Sequence, residues 1–554
     1  MATPGSPYDP AARSQREWWV PAGVFVFALG LRVAHLIELR RNDPFFDLPS
    51  VDARMYHEWA LAIQGGDWLG DAVFLNGPLY PYLLALVYGA FGPSLLAAKL
   101  ANALLGASAC VLVWGLARRL FDARVAAIAA AATAVGEMLI FYGGTLIVAN
   151  LLVPLAAAAA WATLEALERP TARRFALAGL LTGLAVIARP NLLLYAGAIG
   201  LWIPLALRGR AGRRQIAAAV GIFAAGVALC VLPVTVRNRV VGDDWVLVTY
   251  AAGLNLYLGN NPDADGTFRV PRIFPRSSAD DPWEQRAVFT AVAERVSGEA
   301  LKPSQVSRFW VARALEWIRE HPSDWLALGA RKLSLSVNAW EPWNIRSIAL
   351  SRELSWVLRQ PLLPFGVLAP FALAGLWWSA DRWRRAMPLY LMLATIFGTM
   401  VVFFVLSRYR LPAVPFLSIF AAAGAVGGWD RVRERQWRAL APALALSLAL
   451  AAFAQRSIGR DDLSLAYYNL ANRHAQLEQF DLAIATYWKA LRRNPRYLST
   501  YNNLAAAYER NGQPAEAVAT WQELRRLAAA RGLDRYIERA DRHLRALGEQ
   551  GSNP

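Results

Sequence analysis

The sequence predicts an all-α, polytopic membrane protein that ends in a helical repeat domain. Three features point there: apolar runs long enough to cross a bilayer, arginine clusters between alternate runs, and a 34-residue period near the C-terminus. The chain is 56% hydrophobic with a mean hydropathy of +0.28, too apolar throughout for one soluble core. A net charge of +17 over 554 residues raises the question of nucleic acid. The arginines occur in short groups between apolar runs rather than on one basic domain, so no nucleic-acid partner is expected. Cys110 and Cys230, the two cysteines, both lie in apolar runs, which supports neither a disulfide framework nor a cysteine metal site.

A helix needs about 17 to 25 apolar residues to cross a hydrocarbon layer of roughly 30 Å. Eleven runs qualify, making about eleven transmembrane helices: approximately 18–38, 95–117, 125–142, 145–166, 172–188, 191–207, 215–236, 361–379, 386–406, 409–428 and 439–455. The first is too long for a signal-peptide core and lacks a cleavage site, so it reads as a retained helix. Arg118, Arg119 and Arg124, then Arg169, Arg173 and Arg174, then Arg208, Arg210, Arg213 and Arg214 fall between alternate pairs of runs. Arg382, Arg384 and Arg385, then Arg431, Arg433, Arg435 and Arg438 continue the series. With Arg13 and Arg16 at the N-terminus, all obey the positive-inside rule if these loops are cytoplasmic. Residues 77–92 allow a twelfth span, but counting it would place most later arginine loops outside, so a re-entrant or interfacial segment is preferred.

This orientation gives a cytoplasmic N-terminus at 1–17, a membrane domain at 18–455 with outer loops 39–94 and 237–360, and an outward-facing tail at 456–554. In the second loop Ser304 is placed to cap a helix through Glu320, with Phe309, Trp310, Ala312, Leu315 and Ile318 as its apolar side. In the tail, residues 464–497 and 498–531 align: Tyr467 with Tyr501, Leu470 with Leu504, Ala471 with Ala505, Ala483 with Ala517, and Tyr487 with Trp521. That is the period of the tetratricopeptide repeat, in which small residues let two helices cross closely. Gly512 marks the second turn and Glu478 stands at the equivalent turn of the first. A final helix is expected at about 535–547. The tail reads either as a spacer or as a groove that docks a protein partner.

Ionisable groups near the outer face are not explained by the orientation rule. They are Arg189, Arg237, Arg239, Lys332, Arg408 and Arg410, with Asp52, Glu58, Asp67 and Asp71 in the first loop. Arginines at a membrane surface hold phosphate by charge-assisted, often bidentate, hydrogen bonds, and a carboxylate nearby takes a proton from an attacking hydroxyl. Ion pairing among these same groups is the alternative.

The segments SVDARMYHEWALAIQGGDW (50–68), NGPLYPYLLALVYGAFG (76–92), GLLTGLAVIARPN (179–191), RNRVVGD (237–243), GLNLYLGNNPDADGTF (253–268) and SRYRLPAVPF (407–416) occur in an order that resembles the GT-C glycosyltransferases. The resemblance is to bacterial relatives of the dolichyl-phosphate-mannose protein mannosyltransferases and of the lipid A aminoarabinose transferase, over roughly residues 18–430. It implies inverting transfer of a sugar from a polyprenyl-phosphate donor to a protein or envelope-glycan hydroxyl, at a bacterial inner membrane with the tail in the periplasm. By motif position Asp52 is the base, four residues before Tyr56. Arg189, Arg237, Arg408 and Arg410 are the candidates to hold the donor phosphate, while Tyr56, Lys332 and Glu341 are candidates for the same cavity. Asp52 is followed by Ala53 where protein mannosyltransferases carry an Asp-Glu pair, and Asn150 stands where many relatives have a second acid. A divalent metal ion is left open as a cofactor, but His57 and Glu58 belong to no metal-binding spacing, so no metal site is assigned. Two other readings stay in play: an O-antigen-ligase type of transferase, and a non-enzymatic scaffold or transporter.

Overall fold

In the computed structural model residues 19–274, 282–343, 346–459 and 462–551 are described. The expected N-terminal segment 1–17, with Arg13 and Arg16, lies outside them. Among the described residues the protein is all-helical, with two isolated bridges, Gly136 to Leu363 and Thr267 to Val405, and no strand. The chain divides into two compact units. One comprises residues 1–36, 51–342 and 360–459, and the other 37–50, 343–359 and 460–554.

In the first unit, eight described helices are long and apolar enough to cross a membrane: Trp19–Asn42, Leu95–Leu120, Ala149–Glu168, Pro190–Leu207, Arg213–Gly242, Ala380–Val402, Ser407–Arg433 and Trp437–Ala454, the first running on past this unit's boundary. The other expected runs are helical but shorter: Ala172–Ala188, Phe365–Trp378, and Ala123–Ala134 followed by Glu137–Gly143. The run expected at 125–142 is therefore interrupted, and the structure shows what satisfies the freed backbone in an apolar setting. Glu137 N–H donates to the Leu363 carbonyl at 3.1 Å, Leu363 N–H donates to Val135 at 3.0 Å, and the buried Arg32 donates to the Ala134 carbonyl at 3.2 Å. The helix Leu79–Phe91 has 13 residues, a length of about 20 Å, which is short of a bilayer crossing.

Small residues set the closest helix contacts. A Cβ on Gly179 would lie 2.2 Å from the Phe223 carbonyl, and one on Gly375 would lie 1.7 Å from that of Phe420. Neither helix pair therefore tolerates a side chain at its crossing. At one end of the bundle the arginine-bearing turns are tied together. Arg119 and Arg385 share Glu168, Arg124 pairs with Asp430 at 2.8 Å, and Arg382 donates to the Leu120 carbonyl. Asp52, Arg189 and Arg408 belong to the opposite helix ends.

The loop helix is Pro303–Glu320, with its N-cap at Lys302, two residues earlier than expected, and Ser304 is not its cap. The Asp244 carboxylate accepts from Ser304 N–H at 2.6 Å and from its hydroxyl at 2.7 Å. Its buried stripe is Val306, Trp310 and Ala314, whereas Ala312 and Leu315 are exposed; Trp310 packs on Phe274, Phe289 and Tyr257, which sets the face.

In the second unit the repeat helices are Leu463–Gln476, Phe480–Arg493, Leu498–Arg510 and Pro514–Ala529, closed by Asp534–Gly551. Ala471, Ala483, Tyr487, Leu504, Ala505, Ala517 and Trp521, seven of the ten residues that the period aligns, share one buried core; Tyr501 packs against it partly buried, while Tyr467 and Leu470 pack with Leu350 instead. Glu478 adopts φ +58 and Gly512 φ +71, so the first turn forces a glutamate into the left-handed region. The buried Asp43 pairs with Arg346 at 2.5 Å, and Glu353 accepts from the Tyr467 hydroxyl, which joins the segments 37–50 and 343–359 to this unit.

Candidate active site

Asp52 is the first residue of the helix Asp52–Gln64, where the helix dipole favours a carboxylate. The residue before it, Val51, has φ +50, an outlier for a β-branched side chain that costs on the order of 1–3 kcal/mol. This strain sits at the residue that aims Asp52. The helix buries Ala53, Met55, Tyr56, Ala60 and Ile63 against Tyr80, Leu84 and Tyr88 of Leu79–Phe91. The Tyr56 and Tyr80 rings meet edge to face at 5.2 Å, and the Tyr80 hydroxyl donates to Asn102, which itself donates to the Thr145 carbonyl.

Arg408 forms an ion pair with Asp52. It belongs to the short helix Ser407–Arg410, which is fixed by a hydrogen bond between Ser407 and the buried Tyr142 hydroxyl. Tyr409 lies between two cations: the Arg189 guanidinium is 3.9 Å from its ring centre and that of Arg408 is 5.6 Å away. Burial first, and the Asp52 carboxylate second, hold the Tyr56 hydroxyl well above the usual tyrosine range, so it remains a neutral donor.

Arg189 ends the helix Ala172–Ala188. A Cβ on Gly77 would lie 2.1 Å from the Ala188 carbonyl, so the segment at 76–78 packs directly on this turn. Among the described residues the Arg189 guanidinium makes no hydrogen bond or ion pair; it lies against the Tyr409 ring and meets the Asp52 carboxylate only through longer-range attraction. It lines an apolar cavity of about 350 Å³ with Leu152, Leu194, Ile396, Met400, Phe403 and Tyr409. Asn191, on the same wall, donates to Thr399 at 3.0 Å and leaves its buried carbonyl oxygen unpartnered among the described residues. The cavity thus presents one guanidinium without an ion-pair partner of its own and one open acceptor on a largely apolar wall, whose other polar residues are Thr249, Asn255 and Thr399.

The other expected residues sort into different places. Arg410 is fully buried and donates to the carbonyls of Leu335, Asn338 and Trp340, which holds the end of the helix Pro322–Val337; Glu341 is 3.4 Å from it. Arg237 donates to Leu69 and Ala72 carbonyls, with Phe74 stacked 3.7 Å away, and is not part of the Asp52 cluster. Its neighbour Asn238 donates to Val246 and Val248 and accepts from Phe74 N–H, so the Arg-Asn pair clamps the segment 69–74. Lys332 is also elsewhere: its ammonium donates to Asn260 at 3.0 Å, and burial pushes it down to about 8. Asn150 donates to the Tyr142 and Thr145 carbonyls and so secures the turn that presents Tyr142.

Sequence reasoning missed Tyr142, Ser407, Tyr409, Asn191 and Val51. The Arg-Tyr-Arg alternation at 408–410 was a readable sign of a ring between cations; nothing in the sequence announces a left-handed valine. The donor set around Asp52 does not fit a resident divalent cation, since its immediate partner is a guanidinium. Among the described residues no three His, Cys, Asp or Glu side chains converge on a metal-sized site.

Residues 76–237 match the family model described as dolichyl-phosphate-mannose-protein mannosyltransferase. The membrane segment is similar to that family. The match includes Gly77, Arg189 and Arg237, begins after Asp52 and ends before Arg408. Residues 486–519 match the tetratricopeptide repeat. No curated protein matches the chain. Among solved structures, the oligosaccharyltransferase of Archaeoglobus fulgidus in complex with Zn and sulfate is 19% identical, covering 83% of this chain and 56% of its own, with a TM-score of 0.45. Another structure of the archaeal enzyme AglB, with an inhibitory peptide and dolichol-phosphate, is 18% identical over 84% of this chain and 60% of its own, at 0.41. ArnT from Cupriavidus metallidurans bound to undecaprenyl phosphate is 17% identical over 76% of this chain and 80% of its own, at 0.35. The chain thus spans less than two thirds of the archaeal enzymes' length.

Proposed function

We propose that the chain is a membrane glycosyltransferase that moves a sugar from a polyprenyl-phosphate donor to an acceptor hydroxyl, with inversion at the anomeric carbon. The observation that carries this reading is the juxtaposition of the Asp52–Arg408 pair with Arg189, a cation without an ion-pair partner of its own on the wall of a largely apolar cavity. A phosphate on a greasy tail matches that combination of charge and surface.

In this mechanism the tail occupies the cavity and Arg189 binds the phosphate. Arg408, shared between Asp52 and the incoming phosphate, turns toward the phosphate and leaves the carboxylate to the acceptor. The acceptor oxygen forms its bond to the anomeric carbon as the bond from that carbon to the phosphate oxygen breaks. Asp52 takes the hydroxyl proton, and Arg189 and Arg408 stabilise the charge that returns to the departing polyprenyl phosphate. Tyr56, kept neutral beside Asp52, is available to donate to the incoming substrate. Arg410 and Glu341 position the short helix from behind, while Arg237 and Lys332 act on loops rather than on the phosphate.

The arginine-tied end of the bundle is taken as cytoplasmic and the Asp52 end as periplasmic, which also puts the repeat tail in the periplasm of a bacterial inner membrane. The repeats favour a protein acceptor or a protein partner. The test is transfer of radiolabelled sugar from a panel of polyprenyl-phosphate sugars, with protein and lipid fractions counted separately. Label in either fraction supports transfer and names the acceptor class. No transfer from any donor sinks the reading and brings the scaffold or ligase alternatives forward.

A further inference from the structure

At the other end of the bundle a hollow of about 810 Å³ opens where the helices Ala149–Glu168, Pro190–Leu207 and Trp383–Val402 approach one another. Its wall carries Arg169, Arg208, Arg210, Arg384 and Arg385 around a single acid, Glu168. That acid is already divided: it accepts from Arg119 at 2.9 Å and from Arg385 at 2.6 Å, and its backbone carbonyl accepts from Arg210 at 3.2 Å. Among the described residues Arg169, Arg208 and Arg384 have no carboxylate partner; Arg384 has only the Trp383 ring, 5.4 Å away. Trp202 and Trp383 line the same hollow with ring centres 5.8 Å apart.

We infer that this hollow binds the phosphodiester headgroup of an anionic phospholipid. The positive-inside rule asks only for an excess of basic residues on one side; it does not ask three uncompensated arginines from three turns to face one concavity with a tryptophan pair in its wall. Guanidinium groups recognise phosphate oxygens bidentately, and indole rings belong at headgroup depth. The wall continues into Leu205, 61% exposed, and one turn further into Leu201, 77% exposed. Those two leucines give acyl chains a surface beside the charge, which is the reason to assign a lipid rather than free phosphate. Bound there, the lipid bridges three helix ends that otherwise carry like charge. The inference is independent of the transfer reading, because none of its residues belongs to the Asp52 cluster.

The test uses the full chain, purified and stripped of lipid in detergent, with thermal unfolding and native mass spectrometry as readouts. Phosphatidylglycerol is titrated against phosphatidylcholine and inorganic phosphate. The unfolding temperature is expected to rise with phosphatidylglycerol alone, with discrete lipid adducts in the mass spectrum. The triple variant Arg169→Gln, Arg208→Gln, Arg384→Gln should bind phosphatidylglycerol about a hundredfold more weakly, at about 1 kcal/mol for each basic side chain near the headgroup. A charge-matched control, Arg213→Gln, Arg214→Gln, Arg433→Gln, should stay within about threefold of wild type. Equal stabilisation by phosphatidylcholine, an equal response to inorganic phosphate, or equal losses in both triple variants would each overturn the assignment.

Discussion

Replacing Gly77 with alanine adds one methyl at the point where the segment 76–78 meets the Arg189 turn. The new Cβ would lie 2.1 Å from the Ala188 carbonyl oxygen and 2.7 Å from both the Ala188 carbonyl carbon and the Ile187 oxygen. These are backbone atoms, so no side chain can swing aside. The gap must open by about 1.3 Å to reach the 3.4 Å of ordinary van der Waals contact, which pushes the segment 76–78 and the turn holding Arg189 apart. Overpacking of this kind costs about 1–3 kcal/mol, and a misplacement of about 1 Å at a catalytic group lowers the rate up to a hundredfold. Gly89 is the internal control, since it lies in the adjoining helix with nothing within 4 Å of its Cβ position. Gly89→Ala should keep activity and gain up to about 1 kcal/mol from helix propensity. The assay is initial transfer rate together with thermal unfolding in detergent. If Gly77→Ala matches Gly89→Ala in both, the packing of 76–78 on the Arg189 turn does not control the site.

Three further predictions separate structural from chemical roles. Arg410→Gln removes a buried cation from three carbonyls and from Glu341 and should destabilise by about 3 kcal/mol, whereas Arg189→Gln should cost under about 1 kcal/mol yet abolish most transfer; chemical denaturation beside transfer rates decides between these outcomes. Lys332 falls from an ordinary 10.5 to about 8 on burial, so between those pH values the unfolded chain binds the extra proton. Stability should therefore rise with pH across that window, by up to about 3 kcal/mol, and the rise should vanish in Lys332→Met; parallel pH profiles for the two proteins would contradict this. Glu478→Gly relieves a left-handed glutamate and should raise the melting temperature of the repeat unit, worth about 1 kcal/mol, while a lowered one would show that its exposed pair with Arg510 matters more.

The repeat tail was legible in the sequence because a 34-residue period aligns small and aromatic residues, most of which share one core. The membrane helices were legible as apolar runs, although the break at Val135 and Gly136 was not. That break is held by Arg32 and Leu363, both distant in sequence and neither marked by composition. Charged residues stood out as exceptions to the orientation rule, but their jobs did not. Arg408 and Arg410 lie two residues apart on one short helix, yet one meets Asp52 and the other ties down three carbonyls. Arg237 looked like a phosphate ligand for the same reason as Arg189, and only the first-loop carbonyls distinguish them. Sequence spacing identifies which groups need a partner, while tertiary contacts decide which partner each one finds.

The most direct measurement is the transfer rate of Asp52→Asn, with a matched check that the variant is folded and still binds polyprenyl phosphate. The variant keeps the shape and a hydrogen bond to Arg408 but loses the base. If Asp52 is the base, the rate falls a hundredfold to ten-thousandfold with donor binding retained. Transfer at the wild-type rate would contradict it, and the role of base would have to pass from Asp52 to another group.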